Sequence, residues 1–224
     1  MARDGRASKD ALFDGFASIA AALGAGRRAE IVEVLSQGER TVEEMADEIG
    51  QSVANTSHHL RALAGVRLVV TRREGNRIHY RLASERVTDA WLAIRTLAAE
   101  RLDTLEDLAT SYLGPRDDLD VVGSQEVRRR FADGDVVILD VRPEAEYRAG
   151  HIPGAVSVPP DALHRLEQVL SEIHPDAEIV AYCRGPYCVY ADEAVRWLAS
   201  RGRAARRLAD GIPEWQRAGG PVEV

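Results

Sequence analysis

Cysteine is scarce in this chain. Two among 224 residues exclude a disulfide framework and suit a reducing compartment, where an exposed thiol serves reaction or metal binding rather than cross-linking. Uninterrupted apolar runs are missing as well: no stretch of about 18 apolar residues is free of charge, and the first ten residues contain no apolar signal core. The sequence therefore predicts a cytoplasmic protein with no membrane partner. An overall basic excess is also lacking, since the net charge is −7, which argues against nonspecific coating of nucleic acid.

What is present is length enough for two domains of about 100 residues each, and a local reversal of charge. Between Arg61 and Arg81 stand six arginines (Arg61, Arg67, Arg72, Arg73, Arg77, Arg81) against the one acid Glu74, so this segment carries +5 and the rest of the chain −12. A basic segment inside an acidic chain suits local binding to a phosphate backbone, and equally an ordinary solvated face.

The texture changes at Leu113-Gly114-Pro115-Arg116-Asp117-Asp118, where a helix-stopping Gly-Pro pair ends a long apolar-periodic run. This predicts a boundary between residues 1–114 and 115–224. Upstream, helical spacing dominates: Leu12, Phe13, Phe16, Ile19, Ala20 and Leu23, then Ile31, Val34 and Leu35, then Met45 and Ile49 behind a Thr41 cap. A last long helix is predicted from Arg86 to Leu113, with Val87, Trp91, Ile94, Leu97, Leu102, Leu105 and Leu108 along one side. Downstream, the β-branched runs Val136 to Val141 and Glu178 to Tyr182 alternate with helical segments, the pattern of a parallel α/β sheet.

Within the upstream half, a helix from Val42 to Ile49, a turn at Gly50-Gln51 and a helix from Ser52 to Ala64 outline a helix-turn-helix. Two strands follow, Leu68 to Thr71 and Ile78 to Leu82, separated by the hairpin-turn chemistry of Arg72 to Asn76. The expected fold is a mainly α winged helix-turn-helix domain followed by an α/β domain. From about Leu12 to Leu113 the chain resembles the arsenical-repressor (ArsR) family of bacterial regulators. The resemblance rests on Gln51-Ser52 with Asn55-Thr56-Ser57-His58-His59-Leu60, and on Gly75-Asn76-Arg77 with Tyr80-Arg81-Leu82.

At 100° per residue, Val53, Thr56, Leu60, Leu63 and Ala64 share one side of the second helix, the expected core face. The other side offers Asn55, His58 and Arg61, with Ser57 on its flank, as candidates to read bases of a double-stranded operator. Asn55 and Ser57 could alternatively satisfy local backbone groups. Arg72, Arg73 and Arg77 suit phosphate or minor-groove contacts. A single recognition helix reads few base pairs, so a symmetric homodimer is expected. Its interface would use the first helix and the long last helix, unless that last stripe packs on the second domain. Some ArsR relatives sense metals through Cys or His clusters; here the helices that would hold them have none, so no metal or cofactor is expected.

Both cysteines lie in Cys183-Arg184-Gly185-Pro186-Tyr187-Cys188, between a strand and a helix. A loop of that kind aims N–H groups and the helix dipole at the first sulfur, favouring an anion, and predicts Cys183 as a reactive thiolate. A phosphatase loop would close with arginine; Cys188 stands there instead. From about Asp120 to Val224 the chain resembles rhodanese sulfurtransferases. That likeness is carried by Leu139-Asp140-Val141-Arg142, by Glu146-Tyr147-Arg148-Ala149-Gly150-His151-Ile152-Pro153-Gly154-Ala155, and by Glu214-Trp215 with Gly219-Gly220-Pro221-Val222. The resemblance implies that Cys183 accepts sulfur from a sulfane donor as a persulfide. Arg184, Gly185 and Tyr187 would cradle it, Arg184 as a possible anchor for an anionic donor, with Asp140, Arg142 and His151 as a supporting polar network. Cys188 reads either as a resolving thiol able to form a disulfide, or as a small buried hydrophobe. Together these readings predict a dimeric transcriptional regulator responding to reactive sulfur or oxidant. The alternative is a sulfurtransferase enzyme with an accessory winged domain.

Overall fold

The computed structural model describes residues 2–132, 136–174 and 177–224. They fall into two compact units, Met1–Glu100 and Arg101–Val224.

The first unit runs α1 (Ala2–Leu23), α2 (Gly26–Leu35), β1 (Arg40–Thr41), α3 (Val42–Glu48), α4 (Val53–Gly65), β2 (Val69–Glu74), β3 (Arg77–Leu82) and α5 (Glu85–Arg101). The sequence chemistry explains its joints. Thr41 and Glu44 form a reciprocal cap, the Glu44 N–H donating to Thr41 Oγ1 at 3.2 Å and the Thr41 N–H to Glu44 Oε2 at 2.8 Å. Ser52 caps α4 by accepting from the Asn55 N–H. Gly50 between the two helices takes φ +59, a conformation that side chains disfavour. Ile31, Val32, Met45, Leu60 and Leu63 form the centre of the core. Glu33 ties α5 to α2 by accepting from the Trp91 indole and from Arg95.

The wing is an antiparallel sheet of order β1-β3-β2. Its strands extend further than sequence predicts: Arg72 and Arg73 lie in β2 and Arg77 in β3, with Glu74 paired to Arg77 and only Gly75-Asn76 turning. Gly75 at φ +59 makes so tight a reversal possible. The expected helix from Arg86 to Leu113 is two helices, broken at Leu102-Asp103-Thr104; the second, α6 (Leu105–Leu113), belongs to the other unit.

That second unit continues with β4 (Val121–Val122), α7 (Ser124–Ala132), β5 (Val136–Asp140), α8 (Glu144–Ala149), β6 (Val156–Ser157), a 3₁₀ segment, α9 (Leu166–Glu172), β7 (Glu178–Tyr182), α10 (Tyr190–Ala199), β8 (Ala205–Leu208) and α11 (Ile212–Arg217). The sheet is parallel, in the order β4-β8-β7-β5-β6. Strand alternation feeds two cores: Ile138, Val180 and Tyr182 pack with Ile212 and Trp215, while Leu139, Ala181 and Cys183 pack with Ala191, Ala194 and Leu198. Among the described residues no helix is long and apolar enough to cross a membrane.

Candidate functional site

Strand β7 ends at Tyr182, and the next residue, Cys183, is 1% exposed beneath a loop that ends where α10 begins. Its S–H donates to the carbonyl oxygens of Cys188 at 3.7 Å and Gly185 at 3.9 Å, and the Cys188 thiol is its side-chain hydrogen-bonding neighbour. Cys188 is half-buried, and both thiols are free. Burial pushes the Cys183 thiol well up, and the neighbouring Cys188 adds to this. Cys188 is lowered to about 7, chiefly by the hydrogen bond with Cys183, with help from the N–H groups of Tyr190 and Arg184. Burial thus opposes the thiolate expected at Cys183, and the hydrogen bonds favour one at Cys188. Desolvation outweighs the field of the helix at the inner sulfur, whereas the outer one keeps contact with both donors and solvent.

The loop's carbonyl groups are held from behind. Arg116 donates to the carbonyl oxygens of Pro186 at 2.6 Å and Cys188 at 3.2 Å, and Arg207 to that of Gly185 at 2.8 Å. Both guanidiniums meet the buried Asp192 of α10, Arg116 at 2.6 Å and Arg207 at 2.8 Å. Gly211 presses on the loop's other end; a Cβ there would fall 2.3 Å from the Arg184 carbonyl oxygen. Sequence reasoning missed Arg116, Asp192, Arg207 and Gly211. The available signal was Asp192 among the apolar residues Ala191, Ala194 and Val195 of α10, a charge on a face that must be buried.

Arg184 turns its guanidinium onto the fully buried Glu146, with contacts of 2.5 to 3.1 Å. It therefore fixes the loop to α8. Gly185, at φ +138, supplies a backbone shape that L side chains rarely adopt, and Tyr187 is partly exposed beside it. Asp140 and Arg142 form a fully buried ion pair of 2.6 Å, with the Tyr182 hydroxyl also donating to Asp140 and Arg142 donating to the Gly150 carbonyl. His151 stacks on Tyr147 and meets Glu223 at 3.1 Å. These groups brace the strand ends around the loop.

In the first unit, Thr56, Leu60 and Leu63 of α4 are buried as expected, but Val53 is exposed, because at the first helical position it lies beyond the core. Asn55, His58 and Arg61 are exposed and Ser57 is half-buried. On the wing, Arg72 is engaged by Glu39 at 2.5 Å and Glu74 at 2.7 Å, with His79 3.8 Å from each acid. Arg73 and Arg77 are exposed.

Residues 26–71 match the family described as bacterial regulatory protein, arsR family, and residues 124–218 match the rhodanese-like domain. One relative spans both: the HTH-type transcriptional regulator Rv0324 of Mycobacterium tuberculosis is 43% identical over 215 residues, covering 96% of this chain and 93% of that protein. This chain is an arsR-family transcriptional regulator carrying a rhodanese-like domain. The second half of the regulator is also similar to a sulfurtransferase of Allochromatium vinosum, 34% identical over 103 residues, 45% of this chain and 92% of the relative. The first half is similar to a structure described as the homodimeric winged helix-turn-helix DNA-binding domain Mb0332 of Mycobacterium bovis. That match is 41% identical, covers 42% of this chain and 88% of the other, and has a TM-score of 0.40.

Proposed function

We propose that this regulator binds its operator as a homodimer and loosens its grip when sulfane sulfur is taken up by the Cys183–Cys188 pair. The observation that carries the reading is the thiol pair itself: two free, hydrogen-bonded cysteines, one of them acidic, in a strand-loop-helix cradle on the same chain as a helix-turn-helix. The chemistry balances without a further oxidant. One thiolate attacks the outer sulfur of a hydropersulfide RSSH, forming Cys–S–SH and releasing RS⁻. The second thiol, losing its proton, attacks the inner sulfur of that adduct, closing the Cys183–Cys188 disulfide and expelling hydrosulfide. Two thiols are oxidised and one sulfane sulfur is reduced.

On the DNA side, Asn55, Ser57, His58 and Arg61 are assigned to base edges, and Arg72, Arg73 and Arg77 to phosphates. Dimerisation is assigned to α1, where Leu12, Phe13, Phe16 and Ile19 form an exposed apolar stripe, Phe16 being 62% exposed. The test is fluorescence anisotropy of a duplex selected by the protein from a random-sequence pool. Reduced, polysulfide-treated and polysulfide-treated Cys183→Ser proteins are compared. Treatment should weaken wild-type binding by roughly 5- to 150-fold and leave the variant unchanged. Identical curves for all three, with sulfur transferred to cyanide, would leave a sulfurtransferase that shares a chain with a DNA reader.

A further inference from the structure

A loop that stabilises a thiolate needs its N–H groups turned inward and its carbonyl groups turned away, since carbonyl dipoles facing a sulfur anion repel it. In most of a domain outward carbonyls find water or a neighbouring strand. Here the carbonyl groups of Gly185 and Cys188 do face a sulfur, 3.9 and 3.7 Å from that of Cys183, and they, with the carbonyl of Pro186, also accept from guanidinium groups that draw off their negative charge; those groups come from opposite ends of the second unit, Arg207 from β8 and Arg116 from the segment just after α6. Asp192, 1% exposed, joins them, so the two arginines act as one body anchored in α10. Arg116 stands three residues after Leu113, the last of α6, separated from it by Gly114 and Pro115. The connecting segment is thus bonded to the chemically active loop at two carbonyl groups, one of them belonging to Cys188 itself.

We propose that Arg116 and Arg207 are positioning residues of the sulfur site, and that Arg116 transmits a change in the Cys183–Cys188 loop to the segment leading back through α6. The transmission half rests on the proposed function. The positioning half does not, because it concerns the thiols of the untreated protein. Closing a disulfide draws the two sulfurs to about 2.05 Å, and with Cys183 fixed in the core we assign the movement to Cys188 and the peptide groups that flank it. Its carbonyl is one of the two that Arg116 holds, so such a movement changes the clasp.

The experiment uses the full-length protein and three variants: Arg116→Gln, Arg116→Lys and, as a control, Arg196→Gln. Arg196 grips the same segment at the Pro115 carbonyl and Asp118 without touching the loop. The first readout is the pH profile of Cys188 alkylation by iodoacetamide. The charged groups facing the pair are Arg184 at Cys188 and Arg207 at Cys183, while Arg116 reaches it through the Pro186 and Cys188 carbonyl groups, and Asp192 lies behind Arg116 and Arg207. Arg116→Gln should raise the midpoint by about one pH unit, Arg116→Lys by less, since an ammonium keeps the charge but cannot span three acceptors. Arg196→Gln should leave it in place. Folding defects alone would lower the melting temperature without moving the midpoint. An unmoved midpoint in both Arg116 variants overturns the positioning role.

The second readout is operator affinity of each protein after its disulfide has been closed and verified by mass. Wild type and Arg196→Gln should release, whereas Arg116→Lys should hold DNA at least several-fold more tightly than oxidised wild type. Equal release by oxidised Arg116→Lys and wild type overturns transmission. Failure of oxidised wild type to release overturns the proposed function instead, and the alkylation result stands apart from it.

Discussion

The Cys183 and Cys188 thiols are hydrogen-bonded to each other, and burial of the first together with this bond divides the pair into a thiol pushed up at 1% exposure and a partner lowered to about 7. Cys188 should accordingly be the first thiol alkylated, with a rate rising through pH 7, because only the thiolate attacks. Cys183→Ala removes that bond, so the midpoint at Cys188 should climb toward about 8.5, the ordinary cysteine value. Peptide mass mapping after timed iodoacetamide exposure checks both. Prior labelling of Cys183 in the wild type would contradict the assignment.

The wing predicts a competition. Arg72 is already bonded to Glu39 and Glu74, so a DNA phosphate must displace a carboxylate to use it. Glu39→Gln should tighten binding to any duplex by roughly two- to fivefold, the range expected of a surface ion pair. Arg73→Ala with Arg77→Ala should weaken all duplexes and flatten the salt dependence by roughly one unit of slope per lost contact. Asn55→Ala should act differently, costing about 1–3 kcal/mol on the selected operator and little on random DNA. Salt titrations of binding separate the three.

At Gly211 the obstacle is backbone, not a movable side chain: an added Cβ would lie 2.3 Å from the Arg184 carbonyl oxygen and 3.0 Å from the Gly185 nitrogen. Gly211→Ala should cost about 1–3 kcal/mol of stability through overpacking and slow alkylation at Cys188 by shifting the loop. Thermal melts together with the alkylation rate test it, and wild-type values in both would remove Gly211 from the site.

Asp140 and Arg142 are buried completely, with one partner's charge answering the other's. Asp140→Ala would leave an uncompensated guanidinium inside the sheet and should cost about 3–5 kcal/mol. Denaturant titration measures it. A loss under about 1 kcal/mol would mean that the remaining bond to Gly150 suffices.

Features set by neighbouring residues are legible in the sequence. Thr41 with Glu44 announces a helix start, Gly75 a tight hairpin, and the strand before Cys183 with the helix after it a cradle. What could not be read depends on partners far along the chain. Arg184 looks like an anion anchor until Glu146, 38 residues away, is folded against it. Asp192, although set among the apolar residues of α10, shows no partner in the sequence until Arg116, 76 residues away, arrives. The break between α5 and α6 has no glycine or proline to mark it, only Asp103 and Thr104, which compete weakly with helix hydrogen bonding.

Strand β4 lends only two residues to the sheet, yet it covers the flank of β8: the Arg207 N–H donates to the Asp120 carbonyl at 2.8 Å and the Ala209 N–H to that of Val122 at 2.9 Å. At the far end, Glu223 exchanges backbone bonds with His151 and receives the Gly154 N–H. A fragment trimmed to the rhodanese-like residues 124–218 would lose both. It would present a raw strand edge to any passing chain and be prone to self-association, so sulfur chemistry measured on such a fragment would report on a damaged loop.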